Sequence, residues 1–240
     1  MKLIPLFECL IGSHAYGLAT ASSDVDIRSA VMPGDLSYYF GLKTFEQKVY
    51  ASEDRVDWHI EKFCRLAAAG NTQMLEMLFS SQECIHYLDP EFAKLILDER
   101  HRFITKQVFP VIKGYSYSEY RKAIGESSRD LGAKRKEGLN KFGYSPRNAS
   151  HCIRLLYAGS KALTCGYFPV KLPEATKQIC MDLKTGICTL EQFKEHYELA
   201  INALEAAMTN SNIPEKFDYD WLDKQLIQLQ INILRRNNLL

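Results

Sequence analysis

IGSHAYGLATASSDVDIR, residues 11–28, sets a Gly-Ser pair eleven residues ahead of two aspartates, Asp24 and Asp26, that lie one position apart. Like charges this close repel unless solvent or a cation lies between them. In DVDIRSAVM (24–32), Val25 and Ile27 alternate with Asp24, Asp26 and Arg28. That period of two predicts a strand, ended by Pro33-Gly34-Asp35. On such a strand both carboxylates share one face, with Cα atoms about 6.5–7 Å apart at ~3.3 Å per residue. Mg²⁺ suits the pair, because it takes one or two carboxylates and fills its other positions with water and phosphate oxygens. For an isolated Asp-x-Asp, a polar strand with two solvated acids is the plain alternative. Gly12 and Ser13 shift that balance. Glycine lets the backbone turn sharply and approach a ligand. Ser13 offers a hydroxyl and opens a turn whose free N–H groups favour phosphate. A phosphate cradle beside a metal-binding strand is what a nucleoside triphosphate requires; the alternative makes Ser13 an ordinary helix cap.

Upstream, LIPLFECLI (3–11) is apolar and stops at Gly12, which predicts a strand. Downstream, RVDWHI (55–60) points Val56, Trp58 and Ile60 one way and Arg55, Asp57 and His59 the other, again a strand. Asp57 is the preferred third carboxylate, as a two-metal centre with ions ~3.5–4 Å apart requires. Glu46, Glu53 and Asp54 are rivals, but Glu53 and Asp54 lie in the polar turn before the alternation begins. A helix is expected through Ala69, then Gly70-Asn71, then a second helix at TQMLEMLF (72–79). Glu76 on that helix is placed to orient Lys62 or Arg65, or else is an exposed helical glutamate. His14 and Tyr16 either touch a base or phosphate or pack locally.

Beyond Pro90 the pattern is helical, over 90–100, 104–131, 145–165, 173–184, 189–209 and 218–236, with a glycine- and lysine-rich loop at 132–143. Ser145-Pro146 reads as a capping hydroxyl followed by proline at the first helical position. Thr189 with Gln192 three residues on reads as a capping box. The organisation expected is a small α/β part, residues 1–100, then a helical part, residues 101–240. The net charge is +1, yet residues 121–154 hold nine Lys/Arg, including Arg129 and Lys134, against three acids, so one segment is a candidate anion-binding surface. Arg147, His151 and Arg154 fall at i, i+4 and i+7, on one helical face, and Lys141 precedes them. Arginine forks bind two phosphate oxygens at once. This stripe is expected to face the carboxylates and bind triphosphate or a nucleic-acid backbone; a solvated helix face is the alternative. Tyr115, Tyr117, Tyr120 and Tyr144 are stacking candidates.

The seven cysteines are scattered and form no Cys-x-x-Cys pair, which argues against a zinc or disulfide framework and for reduced thiols. No signal-peptide pattern opens the chain, and no apolar run approaches the ~18–20 residues of a membrane span, so a cytoplasmic protein is expected. P-loop, HExxH and GxSxG motifs are absent. A haloacid-dehalogenase Asp-x-Asp needs an apolar strand leading into it, whereas ATASS precedes Asp24.

GSHAYGLATASSDVDIR, VDWHIEKFCRLAAAGNTQMLEMLF and KFGYSPRNASHCIRLLYAG together resemble the DNA polymerase β-type nucleotidyltransferases. More narrowly they resemble the RNA repair pathway DNA polymerase β family, over about residues 8–165. The resemblance implies an α+β fold: a small mixed sheet with flanking helices, followed by a mostly helical part. It implies that Gly12 and Ser13 hold the triphosphate; the residues themselves add His14 and the stripe of Lys141, Arg147, His151 and Arg154 as nucleotide-binding candidates. Asp24 and Asp26 would ligate both Mg²⁺ ions, or Mn²⁺ in their place, and Asp57 the catalytic one. The implied reaction moves a nucleoside monophosphate from an NTP to an acceptor hydroxyl, expected to be an RNA end such as that of tRNA. A protein hydroxyl, modified as toxin-type AMPylating enzymes do, is the enzymatic alternative; a silent nucleotide- or RNA-binding module is the other.

Overall fold

A computed structural model describes residues 1–21, 23–50, 52–126 and 132–240, apart from the side chains of residues 133 and 134. Ser22, Arg129, Asp130, the Lys134 side chain and the end of the helix expected over 104–131 lie outside the described residues. The fold is α+β, with a five-stranded mixed sheet and a predominance of helix. The chain forms two compact units, residues 1–104 with 216–240, and residues 105–215.

In the first unit, β1 (Leu3–Ile11) lies antiparallel to β2 (Asp26–Pro33), and the short helix α1 (Gly12–Tyr16) leads out of β1. β3 (Gln47–Tyr50) and β4 (Arg55–His59) pair antiparallel, and β4 joins β2 in parallel. Helices α2 (Ile60–Ala68) and α3 (Thr72–Leu78) follow, then β5 (Ile85–Leu88) on the far edge, giving the order β3-β4-β2-β1-β5. The edge strands β3 and β5 escape the sequence reading. Gln47, Lys48 and Val49 are exposed, so no buried face disciplines their pattern. The strand expected over 24–32 begins at Asp26, because β1 supplies its last partner there: Ile11 pairs with Asp26, and Gly12 then turns away. Asp24 and Val25 precede the ladder and are exposed.

The segment expected as one helix over 90–100 is α4 (Pro90–Phe92) running into a π-turn over Ala93–Leu97. Phe92 stacks on Phe7 at 5.3 Å and meets Phe63 edge-on at 6.2 Å, joining the sheet, α2 and α4 in one core.

The second unit starts with α5 (Val108–Ala123) and α6 (Ala133–Phe142). The stretch 132–143, read as a loop, is therefore helical. Gly132 and Gly143 stand at its two caps, the latter at φ 76°, and between them lie Lys, Arg, Glu and Leu, which favour helix. α7 (Pro146–Cys165) is the central helix, packed by α5, α8 (Glu174–Thr185) and α9 (Leu190–Thr209). The Thr189–Gln192 capping box forms. Ser145 occupies the N-cap of α7, but its hydroxyl donates to Asn148 Oδ1 at 2.7 Å instead of capping the backbone.

α10 (Tyr219–Arg236) returns to the first unit, whereas the chain-order division at residue 100 assigned it to the helical part. Its buried Leu222, Leu226, Leu229 and Ile233 give it an apolar face, and it packs on α2 and α4. Asn232 donates to Glu91, Gln230 to Glu61, and Arg236 pairs with Asp89. All seven cysteines are free thiols. No helix among the described residues is long and apolar enough to cross a membrane.

Candidate active site

Gly12 adopts φ +73°, a conformation glycine enters without penalty. A β-carbon at Gly12 would lie 2.4 Å from Asp26 Oδ2, so only a glycine lets this carboxylate sit against the turn. Strand pairing creates the approach, since Asp26, the first residue of β2, pairs with Ile11, the last of β1, and Gly12 is the first residue beyond that pair. His14 Nε2 lies 3.4 Å from the Ser23 carbonyl, which ties α1 to the segment carrying Asp24. The structure therefore brings Gly12, Ser13, His14 and Asp26 into one corner at the end of the β1–β2 ladder, with exposed Asp24 two residues before Asp26 in the chain.

Arg28 is a member of this corner that sequence reasoning passed over. It lies two residues beyond Asp26, on the same face of β2. Its guanidinium approaches Asp26 Oδ1 at 3.6 Å and Asp54 Oδ1 at 3.3 Å, and donates to the Asp54 carbonyl. Asp54 holds φ 41°, which turns that carbonyl toward both Arg28 and the Ile27 N–H. Among the acids weighed for third place, Asp54 thus shares an arginine with Asp26.

Asp57 lies elsewhere. It aligns with Ser29 on β2, three residues from Asp26, so the two acids project from opposite faces of the sheet. Its carboxylate accepts from Arg55 Nε at 2.9 Å and from the Tyr50 hydroxyl at 2.8 Å, with only 3% of the side chain exposed. Arg55 also pairs with Glu8 at 2.7 Å, and Ser29 donates to Glu8. The other rival, Glu46, is engaged by Lys62 at 2.6 Å. Glu76 is buried on α3, not exposed, and accepts from the Tyr16 hydroxyl. Burial pushes the neighbouring Cys9 thiol up to about 12, which keeps it neutral and unreactive.

The donor chemistry of Asp24 and Asp26 fits one divalent cation. Among the described residues no three His, Cys, Asp or Glu side chains gather closely enough to hold a metal ion.

In the second unit, the basic stripe of α7 runs from the surface into the interior. Arg147 is exposed, His151 half-buried and Arg154 only 1% exposed. Arg154 lies 3.1 Å from His151 Nδ1, and His151 Nε2 lies 3.1 Å from the Tyr115 hydroxyl. A guanidinium can only donate, so Nδ1 accepts and Nε2–H donates to Tyr115. Burial, then the charges of Arg154, Arg147 and Lys122, hold the His151 pKa well below its ordinary value. Lys141 is exposed over the Phe142 ring. Beside this pair, buried Glu119 accepts from Asn148 at 2.6 Å and from Lys122 at 2.5 Å. Tyr144 is fully buried and donates to the Leu183 and Cys188 carbonyls, and Tyr120 stacks on Tyr197 at 4.0 Å; Tyr115 and Tyr117 are partly exposed.

A bacteriophage T4 protein, the uncharacterized 38.9 kDa protein in the nrdC-mobD intergenic region, is 31% identical to this chain over 105 residues. The match covers 39% of this chain and 31% of the phage protein, so the chain spans about a third of that relative's length. No solved structure matches. The sequence profile of the RNA repair pathway DNA polymerase β family matches residues 4–228, nearly the whole chain, which therefore belongs to that family.

Proposed function

We propose that this protein transfers a nucleoside monophosphate from an NTP to a hydroxyl at an RNA end. The acceptor oxygen bonds to the α-phosphorus as the bond from that phosphorus to the bridging oxygen breaks. Pyrophosphate leaves and the hydroxyl proton passes to water. One observation carries the reading: the Asp26 carboxylate is packed against the Gly12 turn.

Gly12 admits the Asp26 carboxylate to the turn, and Ser13 would bring a hydroxyl and an N–H to the triphosphate. Asp24 and Asp26 would hold a divalent cation, Mg²⁺ or Mn²⁺, which supplies neutralisation of phosphate charge. Arg28 faces Asp26 and limits where its carboxylate can swing. On this reading Asp57 is an anchor for Arg55 and Tyr50 on the opposite sheet face. Exposed Arg147 and Lys141 supply positive charge for phosphate or RNA backbone on the helical unit, and Arg154 fixes the His151 ring from within. Such chemistry is dominated by positioning and charge.

The test is incubation with each α-³²P-labelled NTP, Mg²⁺ or Mn²⁺, and total RNA or total protein. Label is expected on RNA, and lost with Asp24→Ala or Asp26→Ala while circular dichroism is unchanged. Label on protein instead would redirect the acceptor assignment. Normal transfer by Asp26→Ala would overturn the site.

A further inference from the structure

α1 has five residues, too few to persist as an isolated helix. Its N-cap, Ile11, supplies no side-chain hydrogen bond, and at its other end Gly17 turns left-handed at φ 75°. The turn must therefore take its position from the packing around it. At its last residue, the Tyr16 hydroxyl donates to Glu76 Oε2 at 2.5 Å. Glu76 is 4% exposed, so water competes poorly for that oxygen. α3 holds Glu76 firmly: Asn71 caps the helix through the Gln73 and Met74 N–H groups, and the Ser80 hydroxyl donates to the Glu76 carbonyl. At the first residue of α1, Gly12 lies against Asp26 Oδ2. One helical turn thus runs between a buried carboxylate on α3 and the carboxylate of the candidate site.

We propose that Tyr16 and Glu76 are a positioning pair that registers the Gly12–Ser13 turn against Asp26. The phenol is fixed by a rigid helix, and the five-residue turn passes that constraint to the glycine whose missing side chain admits Asp26. A small shift of α1 then moves the turn relative to the carboxylate. Tyr16 and Glu76 touch neither substrate nor reacting atoms in this scheme. The consequence for transfer rests on the function proposed above; the mechanical coupling does not.

The two are separated by measuring hydrogen exchange and transfer on the same full-length proteins. The amides of Gly17 and Leu18 donate to the carbonyls of His14 and Ser13, so their exchange reports on α1 directly. Tyr16→Phe and Glu76→Ala are expected to speed that exchange about tenfold, as loss of a buried hydrogen bond does. Glu76→Gln keeps an acceptor for the phenol and is expected to exchange like the wild type. In transfer assays, Tyr16→Phe is expected to lower kcat about tenfold with the KM for RNA unchanged, and Glu76→Gln to retain most of the rate. Unchanged exchange in Tyr16→Phe would overturn the pairing, as would acceleration spread evenly through the sheet. Should Glu76→Ala fail to fold, Tyr16→Phe decides, since it removes one oxygen. A wild type that transfers nothing but shows the expected exchange pattern would sink the proposed function and leave the positioning pair standing.

Discussion

Gly12 carries two demands, a positive φ and the absence of a side chain. Gly12→Ala meets neither: left-handed backbone costs an alanine about 1–2 kcal/mol, and the new methyl displaces Asp26 Oδ2. We expect transfer to fall about 100-fold, on the scale of losing one charge-stabilising contact, with circular dichroism unchanged; single-turnover kinetics would measure it. His151 allows a prediction in pH. Its folded-state pKa is depressed by burial and by three cations, so the native protein stays unprotonated where the unfolded chain already takes up a proton. Below the ordinary histidine value of ~6.5, the unfolded state therefore binds more protons. Stability from this group is complete above that pH and is lost as pH falls through it, with a slope of at most about 1.4 kcal/mol per unit. His59, also lowered by burial, acts in the same sense. His151→Gln should flatten the fall in Tm between pH 7 and pH 5 without abolishing it. A wild-type Tm that does not fall over that range would refute the assignment of a neutral His151.

At the scale of elements, α7 is where close approach matters most. A β-carbon at Gly159 would lie 2.7 Å from Ile112 Cγ2 on α5 and 3.0 Å from Leu204 Cδ1 on α9. Alanine gains about 1 kcal/mol in helix propensity over glycine, but overpacking a tight helix contact costs about 1–3 kcal/mol. The β-branched Ile112 methyl cannot rotate away, so the clash wins, and Gly159→Ala should lower Tm by a few degrees in differential scanning calorimetry. The elements also divide by how far their signal travels along the chain. α8, α9 and α10 lie within one residue of their expected bounds, because caps and periodicity are written locally; Thr189 and Gln192 form their capping box. The Gly-Ser and Asp-x-Asp spacing was legible for the same reason. Arg28, Tyr16–Glu76 and the commitment of Asp57 to Arg55 and Tyr50 were not, because each depends on which strand lies beside which and in what register. A two-residue period assigns Asp57 a face of its own strand, but only the pairing with Ser29 reveals that this face lies opposite Asp26. The inward turn of Arg154 was hidden similarly. On a helical wheel it belongs to the basic stripe, yet it is buried within its unit beside the His151 ring.

For the whole molecule, the consequential feature is that the first unit is discontinuous, with α10 closing a body begun by residues 1–104. Leu222, Leu226, Leu229, Ile233 and Leu234 are all buried on that helix. At ~1.5–3 kcal/mol for each large apolar side chain buried, these five contribute about 8–15 kcal/mol. That is comparable with the ~5–15 kcal/mol net stability of a typical domain. The corner formed by Gly12 and Asp26 lies wholly in this unit, so its geometry depends on a helix nearly two hundred residues away in sequence. A chain ending at Glu215 retains every residue of the site and all of the second unit. It should nevertheless lose the cooperative unfolding of the first unit, while the second, whose α5, α8 and α9 pack around α7, keeps its own transition. Limited proteolysis with mass mapping distinguishes the two: cleavage should concentrate before residue 105 in the truncated chain, leaving a resistant fragment over 105–215. Equal resistance of both segments would mean that α10 adds little to the unit it packs on, and that apolar burial along its face does not carry the stability assigned to it.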